Sequence, residues 1–256
     1  MQLGAIMKVT AYKTPVVDVG DDLFRVLKEN LPQIHENDVV VITSKIVALC
    51  EKAVVPKGNT KDRQEKQEIV KKQAEYFTSP HSSKYHLMLT IKQQLLAVNA
   101  GVDESNVKDH YVLWPQHPQE SVNTIWNWLR ENYTVKHVGV IVSDSRTMPL
   151  RWGVIGTYLA HCGFLALNDQ RGKPDLFGRP MQMTQINVAE ALAVAAVYEM
   201  GETDESTPLA VVSDASFVQF QDRLPSESEL ASLTIELEDD VYAPILTKAE
   251  WEKGEG

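Results

Sequence analysis

Three polar segments each follow an apolar run, and each carries a carboxylate. Asp103 stands in Asn99-Ala100-Gly101-Val102-Asp103-Glu104-Ser105-Asn106, Asp144 in the segment 143–151, and Glu202 in the loop 201–208. Ser145 adds a hydroxyl oxygen beside Asp144. Oxygen ligands of this kind suit hard cations such as Mg²⁺ or Mn²⁺, which commonly bridge phosphates. Taken singly, each reads first as an ordinary turn-forming residue, and spacing alone does not show that the three segments converge. Cationic side chains accompany them. Ser44-Lys45 follows the apolar run 38–43, where a hydroxyl and an ammonium can meet a phosphate; a solvated lysine after a strand is the plain alternative. Arg146, Arg151, Arg171 and Arg179 fall among strand ends and glycine turns. They are candidates for clamping a carboxylate with two parallel hydrogen bonds, with surface ion pairs as the alternative.

Several other chemistries are excluded by pattern. The chain has no G-x-x-x-x-G-K-[ST] loop and no G-x-G-x-x-G, so a nucleotide site must be of another type. No zinc-type histidine spacing and no G-x-S-x-G elbow occur. His35, His81, His86 and His161 therefore read as structural or surface residues, and Trp114, Trp126 and Trp128 as core packing. Cys50 and Cys162 are the only cysteines, which fits a reducing cytoplasm. The net charge of -10 argues against a nucleic-acid binder. It also repels anionic substrates: at 4 Å two unit charges interact by about 4 kcal/mol at an effective dielectric near 20. A site for phosphates in such a protein needs clustered basic groups or divalent cations.

The elements that must position these groups read as a mixture without strict βαβ alternation, which predicts the α+β class over a single domain, 1–256. A short strand is expected over 7–12, and a helix capped by Asp21 or Asp22 runs to about Asn30. A buried strand at 38–43 follows, then a solvated helix over 61–76 and strands at 85–91 and 94–98. An amphipathic helix covers 121–131, with Val122, Ile125, Trp126 and Leu129 at helical spacing. A strand at 138–142 delivers the chain into 143–147, read as loop. An alanine-rich helix over 188–200 stops at Gly201, and a strand covers 209–212. The acidic stretch after Ser213 reads as peripheral, and the histidine-containing loop 80–86 as flexible. No run approaches the ~20 apolar residues of a membrane span. The first residues lack a secretory pattern, and Met7 is an alternative start, which would leave the first six residues as a loose extension.

At these segments the sequence resembles the coenzyme F420 glutamate ligases, from Thr14 to about Val212. The resemblance rests on Pro15…Gly20-Asp21-Asp22-Leu23, Thr43-Ser44-Lys45-Ile46-Val47, the 99–106 segment, Asp144-Ser145 with Pro149 and Arg151, Asp169…Arg171-Gly172…Asp175…Gly178-Arg179, and Met200-Gly201-Glu202 with Glu205. It implies the α+β fold of that family in an intertwined homodimer, with two intertwined subdomains per chain as the alternative to one domain. It also implies GTP (with ATP as the alternative), Mg²⁺ or Mn²⁺ with K⁺ as a further option, and γ-linked addition of L-glutamate to an acceptor carboxylate. By position, Asp103, Asp144, Ser145 and Glu202 correspond to metal ligands. Thr14, Pro15, Val16, Val17, Ser44, Lys45, Asn106, Met200, Gly201, Glu202, Thr203, Asp204, Glu205, Ser206 and Thr207 correspond to nucleotide contacts. Asp103, Asp144, Lys45 and Arg151 would carry the chemistry, through an acyl phosphate on the acceptor.

Two departures stand out. The family string Asp-Thr-x-Gly-Arg-Pro-Trp-Arg is here Asp144-Ser145-Arg146-Thr147-Met148-Pro149-Leu150-Arg151, which keeps the oxygen ligand and alters an acceptor-side wall. A lysine common after the Ser-Lys step is Leu49, with Lys52 as its possible substitute. Leu89-Thr90-Ile91-Lys92 and Val112-Leu113-Trp114-Pro115 resemble a bacterial branch described as folate-metabolism γ-glutamate ligases, so a folate-type acceptor is the alternative. A non-catalytic nucleotide-binding module and a metal-dependent phosphohydrolase are the readings from other classes.

Overall fold

The computed structural model describes residues 6–58 and 63–256. The N-terminal extension up to residue 5 and the first two residues of the helix expected over 61–76 lie outside them. In chain order the first elements are β1 (Lys8–Tyr12), α1 (Leu23–Asn30), β2 (Val39–Thr43), α2 (Ser44–Cys50), β3 (Val54–Pro56) and α3 (Arg63–Gln73). Then come β4 (Tyr76–Phe77), β5 (Leu89–Lys92), β6 (Leu95–Val98), β7 (His110–Val112), α4 (Pro118–Tyr133), β8 (Gly139–Thr147) and β9 (Val154–Cys162). The chain continues through β10 (Leu167–Asp169), β11 (Gln185–Asn187), α5 (Val188–Met200) and β12 (Leu209–Ser213). It ends with α6 (Glu227–Ala231), α7 (Ala243–Leu246) and β13 (Glu252–Lys253). The class is mixed α+β, as the sequence predicts.

A five-stranded sheet in the order β1-β12-β2-β8-β9 forms the centre. Only β2 and β8 run parallel; every other neighbouring pair is antiparallel. The run Val39-Val40-Val41-Ile42 is apolar at every position because both sheet faces are covered. Val39 and Val41 pack with Val188, Leu192 and Ala196 of α5. Val40 and Ile42 face the other way, onto Leu27 of α1, Ile46 of α2, and Val122, Ile125 and Leu129 of α4. The helix ends follow local rules: the Asp22 carboxylate caps α1 by accepting from the Phe24 and Arg25 amides, and Asn187 caps α5 by accepting from Glu190. Gly201 ends α5 at φ +78°, a conformation that favours glycine.

A second sheet, β13-β4-β5-β6, packs with α3 around a smaller core that includes Ile69, Phe77, Met88, Ala100 and Tyr111. Three expectations are corrected here. Residues 143–147 are not loop: β8 continues through them, because β9 pairs with that polar half as far as Thr147. The strand expected over 85–91 begins only at Leu89, since His86 adopts a positive φ that breaks extended backbone. Tyr76 belongs to β4 rather than to the helix before it.

Candidate active site

Topology alone brings the candidate residues to one sheet edge. Parallel strands deliver their C-terminal ends side by side, and Thr43 of β2 is in register with Ser143 of β8. Ser44-Lys45 and Asp144-Ser145 therefore emerge next to each other. A bulge at Val142/Ser143 shifts the register of β8 against β9 just before Asp144; bulges of this kind re-aim the side chains that follow. Leu209, at the start of β12, pairs with both Ile42 and Tyr12. That pairing places residues 200–208 and 13–17 at the same edge.

Loop-to-loop hydrogen bonds close the arrangement. Thr14 N–H donates to Ser206 O at 3.0 Å and Thr43 N–H to Pro208 O at 3.0 Å. The Asn106 amide donates to Thr203 O at 2.6 Å, tying the 99–106 segment to the loop after α5. Within that loop Glu205 accepts from the Thr203 amide and hydroxyl, and the Thr207 hydroxyl donates to Met200 O. The result is a cavity of about 550 Å³. Thr14, Pro15, Val16, Val17, Ser44, Lys45, Asp103, Asn106, Asp144 and Ser145 line it, together with every residue from Met200 to Thr207. Of the residues singled out from sequence for catalysis, nucleotide or metal, Arg151 alone stands apart. It is exposed, and its guanidinium donates to the neighbouring Leu150 carbonyl. Arg171 and Arg179 are spent on Asp169 and Asp175. Lys52 does not line the cavity either; Leu49 does.

The electrostatics separate the carboxylates. Burial opposes ionisation of Asp103, but the Lys45 ammonium at 2.6 Å and the Ser105 amide and hydroxyl outweigh it and hold the carboxyl at about 2. Asp144 behaves in the opposite way. Removal from water raises it to about 6, against the Ser145 amide at 2.8 Å and the Trp114 indole, with Asp103 adding like-charge repulsion. Burial also raises Glu202, which the Ser145 side chain hydrogen-bonds. Lys45 further donates to the Ser105 carbonyl and hydroxyl at 3.1 Å.

Five carboxylates, those of Asp103, Asp144, Glu202, Asp204 and Glu205, thus share the cavity with the Lys45 ammonium among the described residues. Hard oxygen donors with an excess of negative charge are the donor set a divalent cation takes, and Asp103, Asp144, Ser145 and Glu202 are donors of that chemical type. Among the described residues no three acidic, histidine or cysteine side chains form a ready-made metal cluster, and the Lys45 ammonium pairs with Asp103.

Sequence reasoning missed the role of Trp114. Its indole N–H donates to Asp144, and its ring lies under Lys92, whose ammonium is 5.5 Å from the ring centre. Gly101 makes that placement possible: at φ +69°, a Cβ there would fall 2.0 Å from the indole nitrogen. Gly101 was visible within its motif, but nothing in the sequence pairs it with a tryptophan thirteen positions later.

Fold and cleft together define a mixed α+β protein with a carboxylate-lined, lysine-bearing cavity at the edge of its central sheet. The sequence model of the family described as F420-0:Gamma-glutamyl ligase matches residues 11–214, and the chain belongs to that family. It is similar to proteins named coenzyme F420:L-glutamate ligase from several organisms. That of Methanococcus maripaludis strain C6 is 30% identical over 220 residues, 82% of this chain and 88% of the relative. That of Methanocaldococcus jannaschii is 30% identical over 223 residues, with the same coverage. That of Methanopyrus kandleri is 32% identical over 206 residues, 75% of this chain and 80% of the relative.

Proposed function

We propose that this chain is a GTP- and divalent-cation-dependent ligase that adds L-glutamate to an acceptor carboxylate such as that of F420-0. The observation that carries the reading is the gathering of Lys45, Asp103, Asp144, Ser145 and Glu202 on one cavity, in a chain matched to the F420-0:Gamma-glutamyl ligase family over residues 11–214. A carboxylate is a poor electrophile, so it must be activated before an amine can attack it. In the proposed sequence an acceptor carboxylate oxygen attacks the γ-phosphorus of GTP, the bond to the bridging oxygen breaks, and GDP leaves. The amine of L-glutamate then attacks the acyl carbon, inorganic phosphate departs with the acyl oxygen electrons, and the amine loses a proton as the amide forms.

Asp103, Asp144, Ser145 and Glu202 would hold Mg²⁺ or Mn²⁺, which when bound supplies neutralising charge for phosphoryl transfer. Lys45 places an ammonium against the phosphates, and the hydrogen bond from Asn106 to Thr203 keeps the loop 200–207 folded over the cavity. Trp114 and the Ser145 amide orient the Asp144 carboxylate. The same reading includes a homodimer, supported by apolar side chains left exposed on a long hairpin, Leu176, Phe177 and Met183.

The test is an assay with GTP, Mg²⁺ or Mn²⁺, labelled L-glutamate and F420-0, read by mass spectrometry. Glutamylated product is expected from the wild type. Asp144→Ala is expected to lower the rate by at least about a hundredfold, the scale of losing a charge-assisted contact of about 3 kcal/mol. Nucleotide turnover without glutamylated product would sink the ligase reading.

A further inference from the structure

Lysine is almost never buried without a carboxylate to pair with, yet Lys92 is only 8% exposed. Among the described residues it forms no ion pair, and Glu75 acts on it only as a more distant charge. Its ammonium donates instead to Gln73 Oε1 at 2.9 Å, at the end of α3. Its other neighbour is a π face: the ammonium stands over the Trp114 ring, 5.5 Å from the centre. Burial lowers the ammonium to about 8, so it stays charged at neutral pH.

The backbone leaves this side chain little choice of place. Lys92 closes β5 and pairs with Leu95 across a two-residue turn. Gln93 and Gln94 both adopt positive φ, +50° and +59°, the geometry of a tight hairpin turn. The Gln93 N–H donates to Glu75 Oε1 at 2.7 Å, which fastens the turn to the segment after α3. Trp114 is equally confined, buried with Gly101 against its indole edge and its N–H on Asp144. Lys92 itself does not line the cavity, so it acts through the ring or not at all.

We propose that Lys92 is a positioning residue: it pins the Trp114 ring and strengthens the indole N–H as a donor, keeping the Asp144 carboxylate aimed into the cavity. A cation is drawn to the electron-rich face of an indole. It pulls electron density from the ring and leaves the N–H more positive, and hydrogen-bonding groups in series polarise one another in this way. A purely space-filling role is poorly served by a charge, because an apolar side chain of similar volume is often as stable or more stable in a buried ionic position. The effect on turnover rests on the ligase reading; the contact from Lys92 through Trp114 to Asp144 does not.

Lys92→Met keeps the length of the side chain and removes the charge. Gln73 is partly exposed, so water can replace its lost donor. In the glutamylation assay kcat/KM is expected to fall about tenfold, while the urea-unfolding midpoint stays unchanged or rises. A fall in the midpoint together with activity marks a structural role and overturns the proposal, as does an unchanged kcat/KM. In a Trp114→Phe background the same substitution should change kcat/KM by less than about twofold, since the N–H it acts through is gone. Equal losses in the two backgrounds also overturn the proposal.

A second readout needs no turnover. The Trp114 indole N–H resonance, assigned by its absence from Trp114→Phe, is expected at higher field in Lys92→Met than in the wild type, as its hydrogen bond weakens. An unmoved resonance overturns the proposal. A moved resonance in a protein that forms no glutamylated product refutes the ligase reading and leaves the contact from Lys92 to Asp144 standing.

Discussion

At the scale of single residues, Asp144 is held by two donors that could not differ more in kind, a backbone amide and a tryptophan indole. The indole reaches it only because Gly101 has no side chain, and this gives two linked expectations. Trp114→Phe keeps the ring and removes the N–H; a hydrogen bond to a carboxylate is worth about 1.5–3 kcal/mol, so kcat/KM should fall about 10–100-fold. Gly101→Ala should produce a similar loss with Trp114 intact, because its Cβ would displace the indole. It should also cost about 1–2 kcal/mol of stability, read by urea unfolding, for a left-handed alanine. Full activity in either variant would remove Trp114 from the site. His161 supplies the pH dependence. It is buried between Tyr158 and Phe164, with Nδ1 unpartnered, and burial lowers it to about 4. An unfolded histidine titrates near 6.5. Between those values the unfolded chain holds a proton the native state does not, so stability is full above about 6.5 and declines as the pH falls toward 4. A difference of this size is worth about 3 kcal/mol. The stability gap between wild type and His161→Gln should shift by about that much, in favour of the variant, between pH 7 and pH 4. An unchanged gap would show that His161 does not titrate differently on folding. The acidic and lysine positions were legible in the sequence as an ordered set of motifs resembling a known family, while each one singly reads as a turn or surface residue. The sequence could not show Trp114, whose type reads equally as core.

At the scale of elements, the site depends on which strand ends share an edge. The apolar runs that became β2 and the first half of β8 were legible because a strand covered on both faces has no polar alternation to hide. The second half of β8 was not, since Ser143-Asp144-Ser145-Arg146-Thr147 has the composition of a loop and is kept extended by pairing with β9, a long-range fact. Nor does spacing reveal that β2 and β8 run parallel, which is what puts Lys45 beside Asp144. Helix α5 is the other determinant, because its C-terminal end opens directly into the 200–207 loop. It approaches β9 closely at Gly156, where a Cβ would lie 2.4 Å from the Ala193 carbonyl oxygen. Gly156→Ala must therefore push the helix off the sheet. Overpacking of this kind costs about 1–3 kcal/mol, and the displaced loop should raise the KM for GTP more than that for L-glutamate. A variant with a lowered melting temperature and an unchanged GTP KM would show that the loop is positioned independently of α5.

At the scale of the whole molecule, the charge of -10 opposes the proposed nucleotide phosphates, and the Lys45 ammonium together with the proposed divalent cation would offset it at one edge of the sheet. A second global feature is the hairpin that β10 and β11 begin. Beyond its ladder, backbone bonds from Gln170 N–H to Thr184 O, Gly172 N–H to Met181 O and Asp175 N–H to Arg179 O hold the two limbs together. Beyond the Asp169–Gln185 pair the hairpin carries Leu176 at 99% exposure, Phe177 at 82% and Met183 at 86%. An arm held by a few cross-chain backbone hydrogen bonds and tipped with large apolar side chains is poorly suited to water, and a second copy of the chain is the occupant the dimer proposal assigns to it. The wild-type protein should therefore sediment at about twice the 28.7 kDa chain mass. Because the tip lies in an exposed turn whose backbone bonds do not involve the substituted side chains, Leu176→Lys with Phe177→Lys should leave the circular dichroism spectrum and unfolding midpoint nearly unchanged while shifting the protein to monomer. If the wild type sediments as a single chain at assay concentrations, or the double variant stays dimeric, the arm does not join two copies.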